Sequence, residues 1–294
     1  MKSGKKYVGK ILLFGEYSVL RGGSALTIPY RNVSGYLDFL KSSSTPEHLK
    51  SNAVLKKFVQ YLRISGDFNF QRFFDDVEKG LFFNSTIPAG YGVGSSGALV
   101  AAVYGKYIDT KHNKHQNLSE LKQYMAKMES FFHGISSGTD PLSSYIQKPL
   151  YILGNEIKIF DTNDTRLLNL FLLDTGKPGS TENLVKLFNE KCTDTEFADR
   201  IDNELVTANL CSVDAFVKGK HDELAVNFKK ISEIEYYYLS EMIPEVAHSA
   251  WLKGIETDEF YLKLCGSGGG GFLVGLSNVS KDRLELDYPV IWLK

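Results

Sequence analysis

Between Pro88 and Leu99 the chain reads PAGYGVGSSGAL. This places Gly90, Gly92, Gly94 and Gly97 in one short segment, with Val93 among them and the hydroxyls of Ser95 and Ser96 beside them. Glycine lets backbone N–H groups come close to a ligand and take up positive φ. The apolar run that follows, ALVAAVY, is a helix candidate, and a helix N-terminus offers unpaired N–H donors and a partial positive charge. A glycine-rich turn opening a helix is therefore an anion site, with phosphate the usual occupant. The two hydroxyls can meet a phosphate oxygen or a magnesium ion. The segment is not a Walker loop, because no lysine follows Gly94, and the dinucleotide fingerprint also breaks down after Gly94.

Several further groups have no assigned role on local grounds alone. Lys10 interrupts the apolar run YVGKILLF and reads by itself as a snorkelling strand residue. Glu129 lies on an amphipathic helical stretch, where most glutamates are merely solvated. Asp140 precedes Pro141, a common way to begin a helix. His133, at a helix end, reads as structural rather than acid–base. His112 and His115, in TKHNKHQN, read as a solvated loop, and the six histidines form no ligand cluster.

The elements that must carry these groups follow from periodicity. Residues 7–14 read as a buried strand, ALTIPY as a second and GYLDFL as a third. HLKSNAVLKKFVQYLR is helical, with Val54, Leu55, Phe58 and Leu62 on one side. LFFNSTIPAG is a strand running into the glycine-rich turn. NLSELKQYMAKMESFFHG is a helix that Asn117 can cap, with Glu120 three residues on. Leu118, Leu121, Met125, Met128 and Phe132 form its apolar stripe. LYILGN and IKIFDT form a hairpin around Gly154 and Asn155. LLNLFLLDTG begins a new strand, at least two long helices follow it, and FYLKLCGSGGGGFLVGL closes the chain with a glycine-rich connection. A soft boundary near Thr162 divides residues 1–162 from 163–294.

The bulk numbers bound the function. A chain of 294 residues suits two linked domains or one large unit. A net charge of −1 gives no basis for binding nucleic acid, and no apolar run is long enough for a membrane span. The N-terminus has a basic head and an apolar patch, but Glu16 and Arg21 interrupt it and no small-residue cleavage site follows. It reads as a strand of the mature fold. Three widely spaced cysteines, Cys192, Cys211 and Cys265, suit a reducing cytoplasm.

Four segments taken in order carry a resemblance: GKILLFGEYSVLRGG (Gly9–Gly23), PAGYGVGSSGAL, MESFFHGISSGTDPLSSY (Met128–Tyr145) and KLCGSGGGGFLVG (Lys263–Gly275). Together they resemble the signature segments of the GHMP small-molecule kinases over nearly the whole chain. Within that superfamily the nearest likeness is to the mevalonate kinases. Those enzymes read K-x-x-L-F-G-E-H-x-V, matched from Lys10 to Val19, and G-E-x-x-x-H-G-x-P-S-G-x-D, matched from Met128 to Asp140. Tyr17 stands where histidine is usual, and Ser136 where proline is usual.

The resemblance implies an α+β, two-domain fold with a ribosomal-protein-like N-terminal domain and a ferredoxin-like C-terminal domain. It implies ATP and Mg2+ as cofactors and transfer of a phosphoryl group to a small-molecule alcohol, mevalonate or a close relative. By the same resemblance, Asp140 is the candidate base for the alcohol and Lys10 its charge-stabilising partner. Whether Asp140 acts as the base or Lys10 contributes more by acidifying the alcohol stays open. Ser96 and Glu129 match magnesium ligands. Gly90, Gly92, Val93, Gly94, Ser95, Ser96 and Gly97 would wrap the phosphates. Glu16, Tyr17, Ser137, Thr181 and Gly268 fall to the acceptor side, with Ser180 beside Thr181, and the Gly266–Gly271 loop is expected against the first glycine-rich loop. A monomer or homodimer in the cytoplasm is expected. The runner-up is phosphomevalonate kinase, since tyrosine after Gly-Glu and the SSGA segment also occur there. A non-catalytic sensor on the same fold is a further rival, but such a protein would not need both Lys10 and Asp140. A decarboxylase of the same fold would show a KYWGK segment, which this chain lacks.

Overall fold

The computed structural model describes residues 4–62, 68–108, 117–161, 167, 169–179 and 181–293, the side chains of Thr181 and Glu182 apart. His112, His115, Thr162 and Ser180 lie outside the described residues. In chain order the elements are β1 (Tyr7–Phe14), β2 (Ala25–Phe39), α1 (Pro46–Tyr61), α2 (Phe70–Glu78), β3 (Leu81–Ser85), α3 (Ser95–Tyr107), α4 (Leu118–His133), α5 (Thr139–Ile146), β4 (Leu150–Leu153) and β5 (Glu156–Ile159). There follow β6 (Leu170–Asp174), α6 (Thr181–Lys191), α7 (Thr195–Arg200), α8 (Val206–Lys218), α9 (His221–Tyr238), α10 (His248–Thr257), β7 (Phe260–Leu264), β8 (Phe272–Ser277) and β9 (Val290–Trp292). The fold is α+β, as the sequence implies.

Two compact units are interleaved along the chain. The first comprises Met1–Lys10, Pro29–Pro88 and Gly94–Gln147, and the second Ile11–Ile28, Ala89–Val93 and Lys148–Lys294. The single division expected near Thr162 differs from this, because β1 and β2 each contribute residues to both units. The expected second and third strands are also one strand, β2, of 15 residues. Each end of it has its own partner. Ala25–Thr27 pairs antiparallel with Leu150–Ile152, and Gly35–Phe39 pairs antiparallel with Leu81–Ser85. Pro29, which cannot donate to a ladder, falls outside both pairings.

In the first unit, local chemistry sets each helix start. Thr45 and His48 form a capping box before α1, with Pro46 at its first position. Asn69 Oδ1 accepts from Arg72 N before α2, and Asn117 Oδ1 accepts from Glu120 N at 2.9 Å before α4. Leu121, Met125 and Met128 are buried as expected. On α1 the buried stripe is Asn52, Leu55, Phe58 and Val59, whereas Val54 is exposed. Asn52 holds its place because its amide donates to the carbonyls of Val77 and Leu81. Nearly all of α3 is buried, from Gly97 through Tyr104 and again at Tyr107 apart from Gly105 and Lys106, which makes it the axis of this unit.

In the second unit, β4 and β5 form the expected hairpin, with Leu153 opposite Glu156. A second sheet has the order β7-β8-β6-β9, antiparallel throughout. β7 and β8 are buried along their whole length, Lys263 on β7 included. Trp251 on α10 is fully buried and donates its indole N–H to Ser232 O on α9 at 3.1 Å. Among the described residues no helix is long and apolar enough to cross a membrane.

Candidate active site

The first unit gathers several of the singled-out side chains around the start of α3. Lys10 Nζ, on β1, lies 3.0 Å from Asp140 Oδ1, in the first turn of α5. The lysine side chain is 4% exposed and the aspartate side chain 33%, so the pair is sealed on one side and open to solvent on the other. Asp140 owes its position to Gly97. A Cβ at residue 97 would come 2.7 Å from the Asp140 carbonyl carbon and 2.8 Å from its Cβ, so only glycine lets the first turns of α3 and α5 approach this closely. Gly94 caps α3 with φ of +74° and lies against the Lys10 stem.

Glu129, on α4, is buried below this pair. Ser96 Oγ donates to Glu129 Oε1 at 3.0 Å, and Ser136 Oγ donates to Glu129 Oε2 at 2.5 Å. Burial, and then the neighbouring Asp140 carboxylate, push the Glu129 carboxyl up to about 7, against the pull of both hydroxyls and Lys10. His133 Nε2 lies 2.9 Å from Ser96 Oγ. The imidazole tautomer sets which of these two atoms donates. Ser137 is exposed, and its hydroxyl accepts only locally, from Thr139 N at 3.2 Å. Ser95 Oγ reaches Ile87 O at 3.5 Å.

In the second unit, Gly90, Tyr91 and Gly92 meet the glycine-rich connection between β7 and β8, and Val93, next in sequence, is buried. A side chain at Gly92 (φ +74°) would collide with the carbonyl of Cys265. Phe272 N donates to Tyr91 O at 3.4 Å, and Gly179 N to Gly90 O at 2.8 Å. Glu16 and Tyr17 join the same loop. Glu16 accepts from Lys263 Nζ at 2.6 Å and from Gly266 N at 3.3 Å, and Tyr17 OH donates to Ser267 O at 2.5 Å. Gly268 packs against Met242, whose carbonyl accepts from Gly269 N at 2.6 Å. The polar atoms of Glu16 and Tyr17, expected on the acceptor side, are thus engaged within the fold. Thr181 begins α6, but its side chain lies outside the described residues.

These surroundings suit the implied cofactors. The first N–H groups of α3, at Ser95, Ser96 and Gly97, precede the first intrahelical bond, which Ala98 N makes to Gly94 O at 2.9 Å. Among the described residues no group of three or more His, Cys, Asp or Glu could hold a metal. One hydroxyl and one carboxylate, at Ser96 and Glu129, suit Mg2+, which draws its other ligands from nucleotide oxygens and water.

Sequence reasoning gave no role to Ser136, Lys263 or Glu235, and assigned His133 to structure. The departure from proline at 136 marked Ser136. A lone lysine in FYLKL and a lone glutamate within the buried face of α9 were the available marks of the other two.

The family described as GHMP kinases N terminal domain matches residues 53–148. A mevalonate kinase of Pyrococcus abyssi is 26% identical over 313 residues, covering 91% of this chain and 86% of that protein. Residues 53–148 thus carry the likeness to the GHMP kinase N-terminal domain, and over most of its length the chain is similar to mevalonate kinases. A mevalonate kinase of Archaeoglobus fulgidus is 24% identical over 289 residues, covering 94% of this chain and 92% of that protein. Among solved structures, L. major mevalonate kinase in complex with R-mevalonate superposes with a TM-score of 0.66 at 18% identity, over 96% of this chain and 89% of the other. Streptococcus pneumoniae phosphomevalonate kinase, in complex with phosphomevalonate and AMPPNP, gives 0.60 at 15% identity, over 94% and 92%. At such identities the superpositions speak to the fold, which is that of GHMP kinases. The chain resembles the mevalonate kinases, and that resemblance implies use of ATP.

Proposed function

We propose that this GHMP kinase transfers the γ-phosphoryl group of ATP to the primary hydroxyl of mevalonate, with Asp140 and Lys10 as its catalytic pair. The observation that carries the reading is the Lys10–Asp140 pair, open to solvent on the carboxylate side and placed at the start of α3. In the transfer, the alcohol oxygen bonds to the γ-phosphorus as the bridging P–O bond to ADP breaks. The alcohol's proton passes to an Asp140 carboxylate oxygen. The Lys10 ammonium, held in a buried position, stabilises negative charge on the alcohol and phosphoryl oxygens. Such a transition state needs positioning and charge neutralisation more than covalent help. The N–H groups of Ser95, Ser96 and Gly97 hold the phosphates, and Gly90, Gly92, Val93 and Gly94 let the backbone approach them. Ser96 and Glu129 would hold Mg2+, which supplies charge neutralisation across the phosphates. Ser136 and His133 orient those two ligands through the hydrogen bonds described above.

The deciding experiment is ADP release by the purified chain with ATP, Mg2+ and either mevalonate or 5-phosphomevalonate. Turnover with mevalonate supports the proposal. Turnover confined to 5-phosphomevalonate moves the chain to the neighbouring activity, which Tyr17 in place of histidine would favour. ATP binding without turnover on either alcohol makes it a sensor.

A further inference from the structure

Lys263 is almost wholly buried. It lies on β7, every residue of which is buried, and its ammonium donates to Glu16 Oε2 at 2.6 Å and to Leu264 O at 2.7 Å. A second buried carboxylate, Glu235 on α9, accepts from Leu264 N at 2.7 Å. Glu16 holds Gly266 N, and Tyr17 holds Ser267 O. Side chains from two other parts of the unit, the Gly15–Ser18 turn and α9, and the adjoining Lys263 therefore grip a four-residue turn, Leu264 to Ser267, at both its N–H and C=O groups. Beyond it the loop is cast against Met242 and Lys177 by backbone bonds, from Gly269 N and Gly271 N, each of 2.6 Å.

This is an expensive way to hold a turn. A buried ion pair replaced by well-packed apolar groups is often neutral or stabilising, so overall stability does not account for one. Geometry at the turn does. The Cys265 carbonyl, at the centre of the gripped turn, is the group that packs on Gly92. A displacement of the turn is a displacement of the surface that Gly92 rests on.

The charges also balance. One ammonium faces two carboxylates, and burying the surplus negative charge would be costly. Burial, with Glu16 adding to it against the pull of Lys263, pushes the Glu235 carboxyl up to about 8. At neutral pH Glu235 is then the protonated member, and its carbonyl oxygen still accepts from Leu264 N. That leaves one ion pair, Lys263 with Glu16.

We propose that Glu16, Lys263 and Glu235 form a sealed, charge-balanced latch that sets the Leu264–Gly271 loop against Gly92, which makes Lys263 and Glu235 positioning residues of the reaction. The catalytic half of this inference rests on the kinase reading above; the structural half does not.

Hydrogen–deuterium exchange on the full chain separates the two. Lys263→Met leaves the Glu16 carboxylate buried and unpaired, whereas Glu16→Gln/Lys263→Met replaces the pair with neutral groups of similar shape. The latch requires at least about tenfold faster exchange over residues 264–271 in K263M, with β6 and β8 still protected and much of the loss restored in the double variant. Should K263M fail to fold, E16Q alone, which leaves Lys263 only Glu235 as a counter-charge, takes its place in the same comparison. Kinetically, K263M should lower kcat/KM by up to ~10²-fold, the scale of a misplaced site, with partial rescue in the double variant. Uniformly faster exchange across the unit, or a double variant no better than K263M, overturns the latch. A wild-type chain without ADP release sinks the kinase reading and leaves the exchange result to decide the latch alone.

Discussion

Two lysine–carboxylate pairs with the same chemistry sit in different solvents. Lys10 and Asp140 are 3.0 Å apart, with the aspartate side chain 33% exposed; Lys263 and Glu16 are 2.6 Å apart, with both side chains 1% exposed. In the first pair a ligand can reach the carboxylate while the lysine is held from behind. In the second nothing can enter, and the spare hydrogen-bonding capacity goes to the backbone of a turn. Access to one partner, rather than the pair itself, separates a group that can exchange a proton with a substrate from one that can only hold a loop.

The largest effect expected from breaking this contrast is on the open pair. Asp140→Asn and Lys10→Met should each lower kcat by ~10²–10⁴, the usual contribution of a positioned base or electrostatic donor. Melting temperatures should stay close to wild type, and the double variant should be hardly slower than the worse single one. Near-normal turnover in Asp140→Asn would remove the base.

The ligands beside the open pair come next. Ser136→Ala removes the hydroxyl on Glu129 Oε2 and should raise the Mg2+ concentration needed for half-maximal activity by about 10–100-fold, the range for a group that orients a ligand. Glu129→Gln should do at least as much. Equal magnesium titrations in wild type and both variants would place the metal elsewhere.

The sealed pair should reveal itself through pH and stability. The folded Glu235 carboxyl is raised to about 8 from its ordinary 4.5, with Lys263, Glu16, Tyr17 and the Leu264 N–H facing it. The folded state therefore binds its proton more tightly than the unfolded chain. The resulting stabilisation is complete below about pH 4.5, falls as pH rises through about 8 and is flat above that. Subtracting the melting curve of Glu235→Gln from that of wild type across this range should isolate the decline. A pH-independent difference would mean Glu235 does not titrate there.

The smallest effect belongs to a control. Asn117→Ala removes the cap of α4 without touching either pair, and should cost ~1 kcal/mol, roughly 2 °C in melting temperature, with kcat unchanged.

What could be read in advance followed the range of each signal. α4 declared itself through Asn117 and its stripe, the β4–β5 hairpin through Gly154–Asn155, and the candidate site was named from four ordered segments. Local signals failed where tertiary partners decide. Local patterning divides β2 into two strands because the partners that hold its ends, Leu81–Ser85 and Leu150–Ile152, are far away in sequence. The α2 pattern, with Phe73 and Val77 buried, spans only nine residues and was not read. Val54 looked like core until Asn52, donating to the carbonyls of Val77 and Leu81, took the position facing α2 and β3. The latch was beyond local reading altogether, since Glu16 and Lys263 are 247 residues apart.

That separation has a consequence for synthesis. A ribosome adding about 5–20 residues per second makes Glu16 some 12–50 s before Lys263. Throughout that interval the N-terminal carboxylate has no counter-ion, and the strand it follows cannot close its share of the second unit. The Gly15–Ser18 turn therefore stays hydrated until the last strands emerge. A chain truncated before β7 would carry the acidic half of the latch with nothing to neutralise it.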